Sequence, residues 1–262
     1  MNFNREKLLS HIGDQDAKQA LVKVLDKAEN VLSRHSVESG DFLDPYHLDL
    51  AKGIVRGMDL EFLDWGGFPD AERRKLVLGP AFRDLRPQDA GIAVLRVEAG
   101  SGFQTLSHRD YLGSLLGMGF KREKLGDIIC KPDRAWVALD AGMADYVVQN
   151  LARVGKTPVR VREAGKDEVD LPQAEFKEIN ATVPSLRLDA VAGEGFSLSR
   201  SKIAAEIEAG KVKVNWRPVT ELSFQIKQAD VISCRGLGRI VITEVRGQTK
   251  KGRTALLIHR LV

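Results

Sequence analysis

The residues best suited to binding chemistry lie in two short stretches, Ser199-Arg-Ser-Lys202 and Lys211-Val-Lys-Val-Asn215. Ser199 stands before a helical pattern with Ile203, Ala204 and Ile207 on its apolar face and Gly210 at its end, so it reads as an N-cap. Arg200 and Lys202 then fall in the first turn, where cations oppose the helix macrodipole at a cost of roughly 0.3 kcal/mol or more each. A phosphate reverses that sign, because free backbone N–H groups and both cations converge on one anion. In the second stretch, period-two alternation predicts a strand that buries Val212 and Val214 and turns Lys211 and Lys213 to the other face. Arg187 and Arg217 add charge close in sequence, and Arg235 and Arg239 flank the Gly236–Gly238 turn. Contacts of this kind give affinity and register on a phosphate backbone and little base reading. Asp189 is expected to cap or pair within the fold, since a carboxylate repels phosphate. The plainer reading of the whole set is a solvated surface with incidental charge.

Signals for catalysis are incomplete. His11, His35, His47, His108 and His259 show no metal-ligand spacing with Cys130 or Cys234, and neither cysteine has a neighbouring histidine. Gly155-Lys-Thr157 resembles the end of a phosphate-binding loop, but Asn150 stands where its first glycine belongs. Gly236-Leu-Gly238 has no third glycine and no following helix, so a dinucleotide site is not supported. The expectation is a binding protein rather than an enzyme, with no cofactor, no metal and no small-molecule substrate.

The elements that must position these residues follow from composition and pattern. The chain has 262 residues, 43% hydrophobic and 29% charged, which predicts a folded protein of two or three modules. No run is long and apolar enough for a membrane span, and MNFNREKLLS carries no apolar leader segment, so no membrane span and no cleaved signal are expected. Two cysteines 104 positions apart make no disulfide framework and point to a reducing cytosol. The net charge of +4 hides an asymmetry: residues 182–262 hold 14 Lys+Arg against 7 Asp+Glu, whereas the first 181 hold 26 against 29. A basic C-terminal module on a mildly acidic body suits an anionic partner, nucleic acid first.

From Asp14 to His35 apolar residues recur at helical spacing, and Asp44-Pro45 opens a second helix to about Met58, giving an N-terminal helical module over residues 1–72. After the turn-rich Trp65-Gly-Gly-Phe-Pro69, strands are predicted at Arg74–Leu78 and Ile92–Val97. A helix at Ser107–Met118, strands at Asp127–Cys130 and Ala135–Leu139, a helix at Gly142–Val154 and a strand at Pro158–Glu163 follow. The order β-α-β-β-α-β is a ferredoxin-like plait, expected over residues 73–165. It lacks the aromatic pair that stacks bases in RNA-recognition motifs, and its Trp136 is expected in the core. A charged stretch, Gly165–Pro172, reads as the linker to a third module at residues 175–262.

Arg187-Leu-Asp, Ser199-Arg-Ser-Lys, the Ile207 to Gly210 stretch, Val212-Lys-Val-Asn and Asp230-Val-Ile-Ser-Cys-Arg-Gly occur in order and together resemble the S4 RNA-binding domain over about residues 182–245. Trp216 departs from the glycine usual at that hairpin turn, which leaves the turn's conformation open and adds a candidate stacking surface. Two S4-bearing enzyme classes do not match: His11-Ile-Gly-Asp14 lacks the second histidine of the tyrosyl-tRNA synthetases, and only a short tail follows where pseudouridine synthases carry a catalytic domain. Trp65-Gly-Gly-Phe-Pro-Asp-Ala-Glu-Arg-Arg and His108-Arg-Asp-Tyr-Leu-Gly-Ser-Leu-Leu-Gly-Met-Gly-Phe-Lys-Arg-Glu-Lys-Leu-Gly-Asp-Ile resemble the YlmH-type proteins over nearly the whole chain, with a flavour similar to the cyanobacterial branch called photosystem II S4 domain protein.

The resemblance implies an α+β fold: an N-terminal helical segment, a central ferredoxin-like (RRM-like) α/β plait and a C-terminal S4 (αL-type) RNA-binding domain. It implies a monomeric, cytoplasmic, ribosome-associated factor that binds rRNA and tRNA on large subunits still carrying peptidyl-tRNA, in ribosome-associated quality control. The branch name implies an alternative, a photosystem II assembly or stability factor acting through protein or membrane contacts. Read from the residues alone, His108 and Arg109 at a helix start and Lys121, Arg122 and Lys124 after its end form a basic knot. Cations favoured at a helix C-terminus explain it as well as a second RNA surface does.

Overall fold

The computed structural model describes residues 4–100, 105–165, 168–170, 176–249 and 252–261. The chain divides into two compact units, Met1–Pro172 and Gln173–Val262.

The first unit opens with α1 (Arg5–Leu9) and α2 (Gln15–Arg34), whose N-cap Asp14 accepts from the N–H groups of Asp16 and Ala17. Helix α2 buries Ala17, Leu21, Val24, Leu25, Ala28 and Val31, the stripe its spacing predicts. Strand β1 (Glu38–Leu43) leads to α3 (Pro45–Val55), capped by Asp44 and three residues shorter than expected. Strands β2 (Leu60–Trp65) and β3 (Arg74–Pro80) complete an antiparallel sheet of order β1-β3-β2. The N-terminal module is therefore not purely helical. The strand predicted at Arg74–Leu78 as the start of the plait is instead the centre of this sheet, paired with β1 and β2. Leu76, Val77 and Leu78 are all buried, and a strand buried on both faces carries no alternation to show which sheet it joins.

The plait runs β4 (Ile92–Ala99), α4 (His108–Gly117), β5 (Leu125–Cys130), β6 (Arg134–Asp140), α5 (Ala144–Asn150), β7 (Arg153–Val154) and β8 (Thr157–Glu163). Its order, β5-β6-β4-β8-β7, is antiparallel throughout and matches the β-α-β-β-α-β expectation with a short extra edge. Helix α5 ends well before Val154, because residues 153–154 turn back as β7. Trp136 is buried, as expected.

Trp65-Gly-Gly-Phe earns its glycines by packing. A Cβ on Gly66 would lie 2.3 Å from the Ala71 Cβ, and Gly67, at φ +102°, sits against Ile92, Val94 and Ala138. Phe42, Phe68, Ala71 and Ala138 form a small core there, joining the three-stranded sheet to the plait. Of the expected linker Gly165–Pro172, residues 166, 167, 171 and 172 lie outside the described residues. Within the rest, Glu168 pairs with Arg96 and Arg162, and Asp170 lies 3.1 Å from Lys131, so this part is tied to the plait.

The second unit runs β9 (Phe176–Val183), α6 (Leu188–Phe196), α7 (Arg200–Glu208), β10 (Val212–Val214), β11 (Arg217–Pro218), β12 (Val231–Cys234), β13 (Gly238–Gln248) and β14 (Thr254–Leu261). The strands form one antiparallel sheet of order β11-β10-β12-β13-β14-β9. Val191, Phe196, Ile203 and Ile207 from the two helices share a core with Val212, Val214, Ile232, Ile240, Ile242 and Ile258 from the sheet. One sheet face is thus committed to α6 and α7. The opposite face carries Lys213, Ser233 and Arg239 side by side, because Ser233 pairs with Lys213 on one flank and with Arg239 on the other.

Candidate nucleic-acid interface

Helix α7 starts where expected: the Ser199 hydroxyl accepts from the Lys202 N–H at 3.4 Å, and Ser199, Arg200 and Lys202 are all exposed. The electrostatic cost of Arg200 in the first turn is met from the preceding helix. Asp189, buried in α6, takes Arg187 at 3.1 Å on one oxygen and Arg200 at 2.8 Å on the other. Burial pushes this carboxyl's pKa up, but the hydrogen bonds and charges of Arg187 and Arg200 outweigh it and hold the pKa below the ordinary value. Asp189 therefore pairs within the fold, as its charge predicts, and fixes two guanidinium groups beside the free N–H groups of α7. The cluster keeps one net positive charge, and Lys202 adds a second.

The strand prediction holds for Val212 and Val214, which are buried, and for Lys213, which is exposed. Lys211 differs: its ammonium lies 2.8 Å from Glu206 of α7, which offsets its charge. Asn215 is committed to the hairpin, donating to Asp230 at 2.8 Å and accepting from the Val231 N–H at 2.9 Å. Arg217 and Arg235 are exposed, and the Arg239 guanidinium lies over the Trp216 ring at 5.3 Å from its centroid. Lys202, Lys213, Arg217 and Arg235 have no side-chain partner among the described residues. These four, with the paired Arg187 and Arg200, make the basic character of this unit available to an anion.

The knot in the plait is built otherwise. Arg122 donates to the carbonyls of Leu125 at 2.6 Å and Gly126 at 3.1 Å, and burial, helped by the Arg73 charge, lowers its pKa to about 10. Lys124 pairs with Asp41 at 2.7 Å and faces Asp140 at 3.7 Å. Desolvation, with the Arg122 charge, pushes the pKa of His108 down, although its side chain reaches solvent. Arg109 and Lys121 are left as the exposed cations of this set. A cavity of about 680 Å³ opens beside the Lys121–Lys124 turn, with Lys23, Lys27, Asp41, Asp44 and Glu123 in its wall.

Two residues that sequence reasoning passed over hold this region. Asp127 accepts from the Glu72 N–H at 2.5 Å and the Arg73 N–H at 3.3 Å, and Arg73 donates to the carbonyls of Phe42 and Leu125. Their signal was present, since both lie inside the two quoted YlmH-type motifs, but spacing alone assigns them no partner. Burial pushes the Cys130 thiol up to about 11 and raises that of Cys234 as well, so both are protonated at neutral pH. No cluster of metal-ligating side chains occurs among the described residues, and no described helix is long and apolar enough to cross a membrane.

Comparison with known proteins bears on the same elements. Family models match at residues 16–81 ("YlmH, N-terminal"), 86–168 ("Putative RNA-binding domain in YlmH") and 186–232 ("S4 domain"). The chain is 30% identical over 246 residues to "Ribosome-associated protein quality control protein P2" of Bacillus subtilis strain 168, covering 94% of this chain and 96% of that protein. A solved structure, "Cell division protein ylmH from Streptococcus pneumoniae", superposes with a TM-score of 0.52 at 21% identity, over 60% of this chain and 96% of that one, which speaks for the fold alone.

Proposed function

The chain belongs to the YlmH family, and from that premise we propose that it is a non-catalytic RNA-binding factor that docks on the large ribosomal subunit through rRNA and tRNA phosphates. An RNA-binding, ribosome-associated role follows from the matched domains and the relative at 30% identity. The finer reading is that the bound subunits are stalled and carry peptidyl-tRNA, in cytoplasmic ribosome-associated quality control, and that the protein acts as a monomer. The printed name of the Bacillus subtilis relative supports that setting.

The observation that carries the reading is the exposed α7 start, where Arg187 and Arg200 are held by buried Asp189 beside a helix N-terminus and the Lys202 side chain has no partner among the described residues. Guanidinium groups held by a buried carboxylate beside a helix N-terminus form a phosphate site that needs little reorganisation on binding. Lys213, Arg217 and Arg235 add exposed cations on the same unit, Lys213 on the sheet face opposite α7, for further phosphates of a nucleic acid. With about five to eight phosphates neutralised, affinity falls with salt at a log–log slope of about −0.7 to −0.9 per contact.

The test is sedimentation of the tagged protein from lysate at low and high salt, with the RNA of its peak fractions sequenced. Co-migration with large subunits and tRNA is expected, lost at high salt and in the Arg200→Ala/Lys202→Ala variant. A peak free of ribosomal RNA, with a protein partner that survives nuclease, would overturn the reading in favour of an assembly factor.

A further inference from the structure

We propose that Trp216 is a stacking platform for an unpaired nucleobase of the bound RNA, a deepening that rests on the RNA-binding reading above. The turn from β10 to β11 has φ +48° at Asn215 and +63° at Trp216. Positive φ at both central residues is the hairpin turn in which glycine is favoured at the second position, and a bulky side chain there is a backbone outlier. The fold does not call for tryptophan at this place. Asn215, through Asp230 and Val231, holds the turn, and Trp216 stays half-exposed outside the hydrophobic core of its unit. A strained backbone position whose side chain stays outside the hydrophobic core is characteristic of ligand-contacting sites.

The ring's surroundings specify the ligand. Arg239 lies over it, a cation–π contact that orients the indole. Lys213, in register with Ser233 and Arg239, places a second cation on this sheet face, and Arg217, which follows Trp216 and pairs with Val214, adds one at the turn on the other face. An aromatic face between phosphate-binding cations is the arrangement that holds single-stranded nucleic acid, with the backbone tracked by charge and a base laid on the ring. Bases inside a duplex are already stacked and cannot reach it, so the platform selects unpaired nucleotides with little sequence preference. The same sheet face continues to His259, opposite Val241 on β13, against which Phe176 stacks at 3.9 Å and 9°. A strand leaving Trp216 in that direction meets a second aromatic pair.

The experiment uses the full chain and two RNAs: one hairpin with a short unpaired 3′ extension, and the same molecule with abasic residues in the extension, so that the phosphates are equal. Wild type is expected to bind the base-bearing RNA about tenfold more tightly. Trp216→Gly and Trp216→Leu are expected to bind both RNAs alike, whereas Trp216→Phe keeps the preference. Glycine suits the turn, so Trp216→Gly retains a cooperative unfolding transition, and Leu provides the same readout with an apolar side chain in place. Arg200→Ala/Lys202→Ala is expected to weaken both RNAs and keep their ratio. Equal binding of the two RNAs by wild type, or an undiminished preference in both the Gly and Leu variants, overturns the platform and leaves the RNA-binding reading intact. Absence of salt-dependent binding to either RNA overturns that reading itself.

Discussion

The start of α7 and the turn after α4 are equally basic in sequence and differ in what their cations touch. Arg122 is held by the carbonyls of Leu125 and Gly126 within the plait, and Lys124 by Asp41 of β1, which ties the plait to the sheet before it. Lys202, Lys213, Arg217 and Arg235 meet no side-chain partner among the described residues, and Arg187 and Arg200 share a single carboxylate. Local charge density thus says little about the field a partner meets. What decides is whether an acceptor from another element lies within hydrogen-bond reach, because a neutralised cation neither attracts phosphate nor releases counterions.

Substitutions can break or sharpen this contrast. The largest effect is expected for Lys202→Ala/Lys213→Ala, which should lower RNA affinity about 100-fold at low salt and flatten the log–log salt slope by about 1.4 to 1.8, with Tm unchanged. Titration of one RNA across a salt series measures both. Next, Arg122→Ala should cost about 2–3 kcal/mol of stability by stranding two carbonyls, and leave RNA affinity within about twofold. Chemical denaturation beside the same titration tests it, and lost affinity with full stability would dissolve the contrast between the regions.

Asp189→Asn should destabilise by about 1–2 kcal/mol at pH 7, since two guanidinium groups lose their charge partner while both keep access to water. The folded carboxyl has a pKa below its ordinary value, so its contribution is complete above that value and disappears as pH falls through the folded one. The gap between wild type and variant, followed by denaturation against pH, should therefore close below about pH 4. The smallest effect belongs to Lys124→Ala, below about 1 kcal/mol for a partly exposed pair, with RNA affinity unmoved. A fall in affinity there would restore the second RNA surface.

Much of the architecture was legible locally. Asp14, Asp44 and Ser199 each cap the helix their position predicts, because an N-cap bond spans only two or three residues. The plait order and the burial of Val212 and Val214 followed from local pattern, and Trp136 lies in the core as expected for a plait without the base-stacking aromatic pair. Strand β1 escaped because Glu38-Ser-Gly-Asp carries neither alternation nor strand-favouring residues, and its existence depends on the edge that β3 offers. In the candidate site, the residue types were readable and their availability was not. Lys211 and Lys213 are indistinguishable in the sequence, yet only the first meets Glu206.

The sequence by itself determined the helix caps, the burial pattern, the concentration of positive charge after residue 181 and the families it resembles, since these depend on neighbours within a few residues or on composition. The tertiary structure decided which cations remain available, which sheet receives Arg74–Pro80, and that a tryptophan occupies a left-handed turn under Arg239. Those outcomes rest on which groups of different elements meet within a few ångströms, from Lys211 and Glu206 five residues apart to Lys124 and Asp41 far apart in the chain, and spacing along the sequence does not encode that distance.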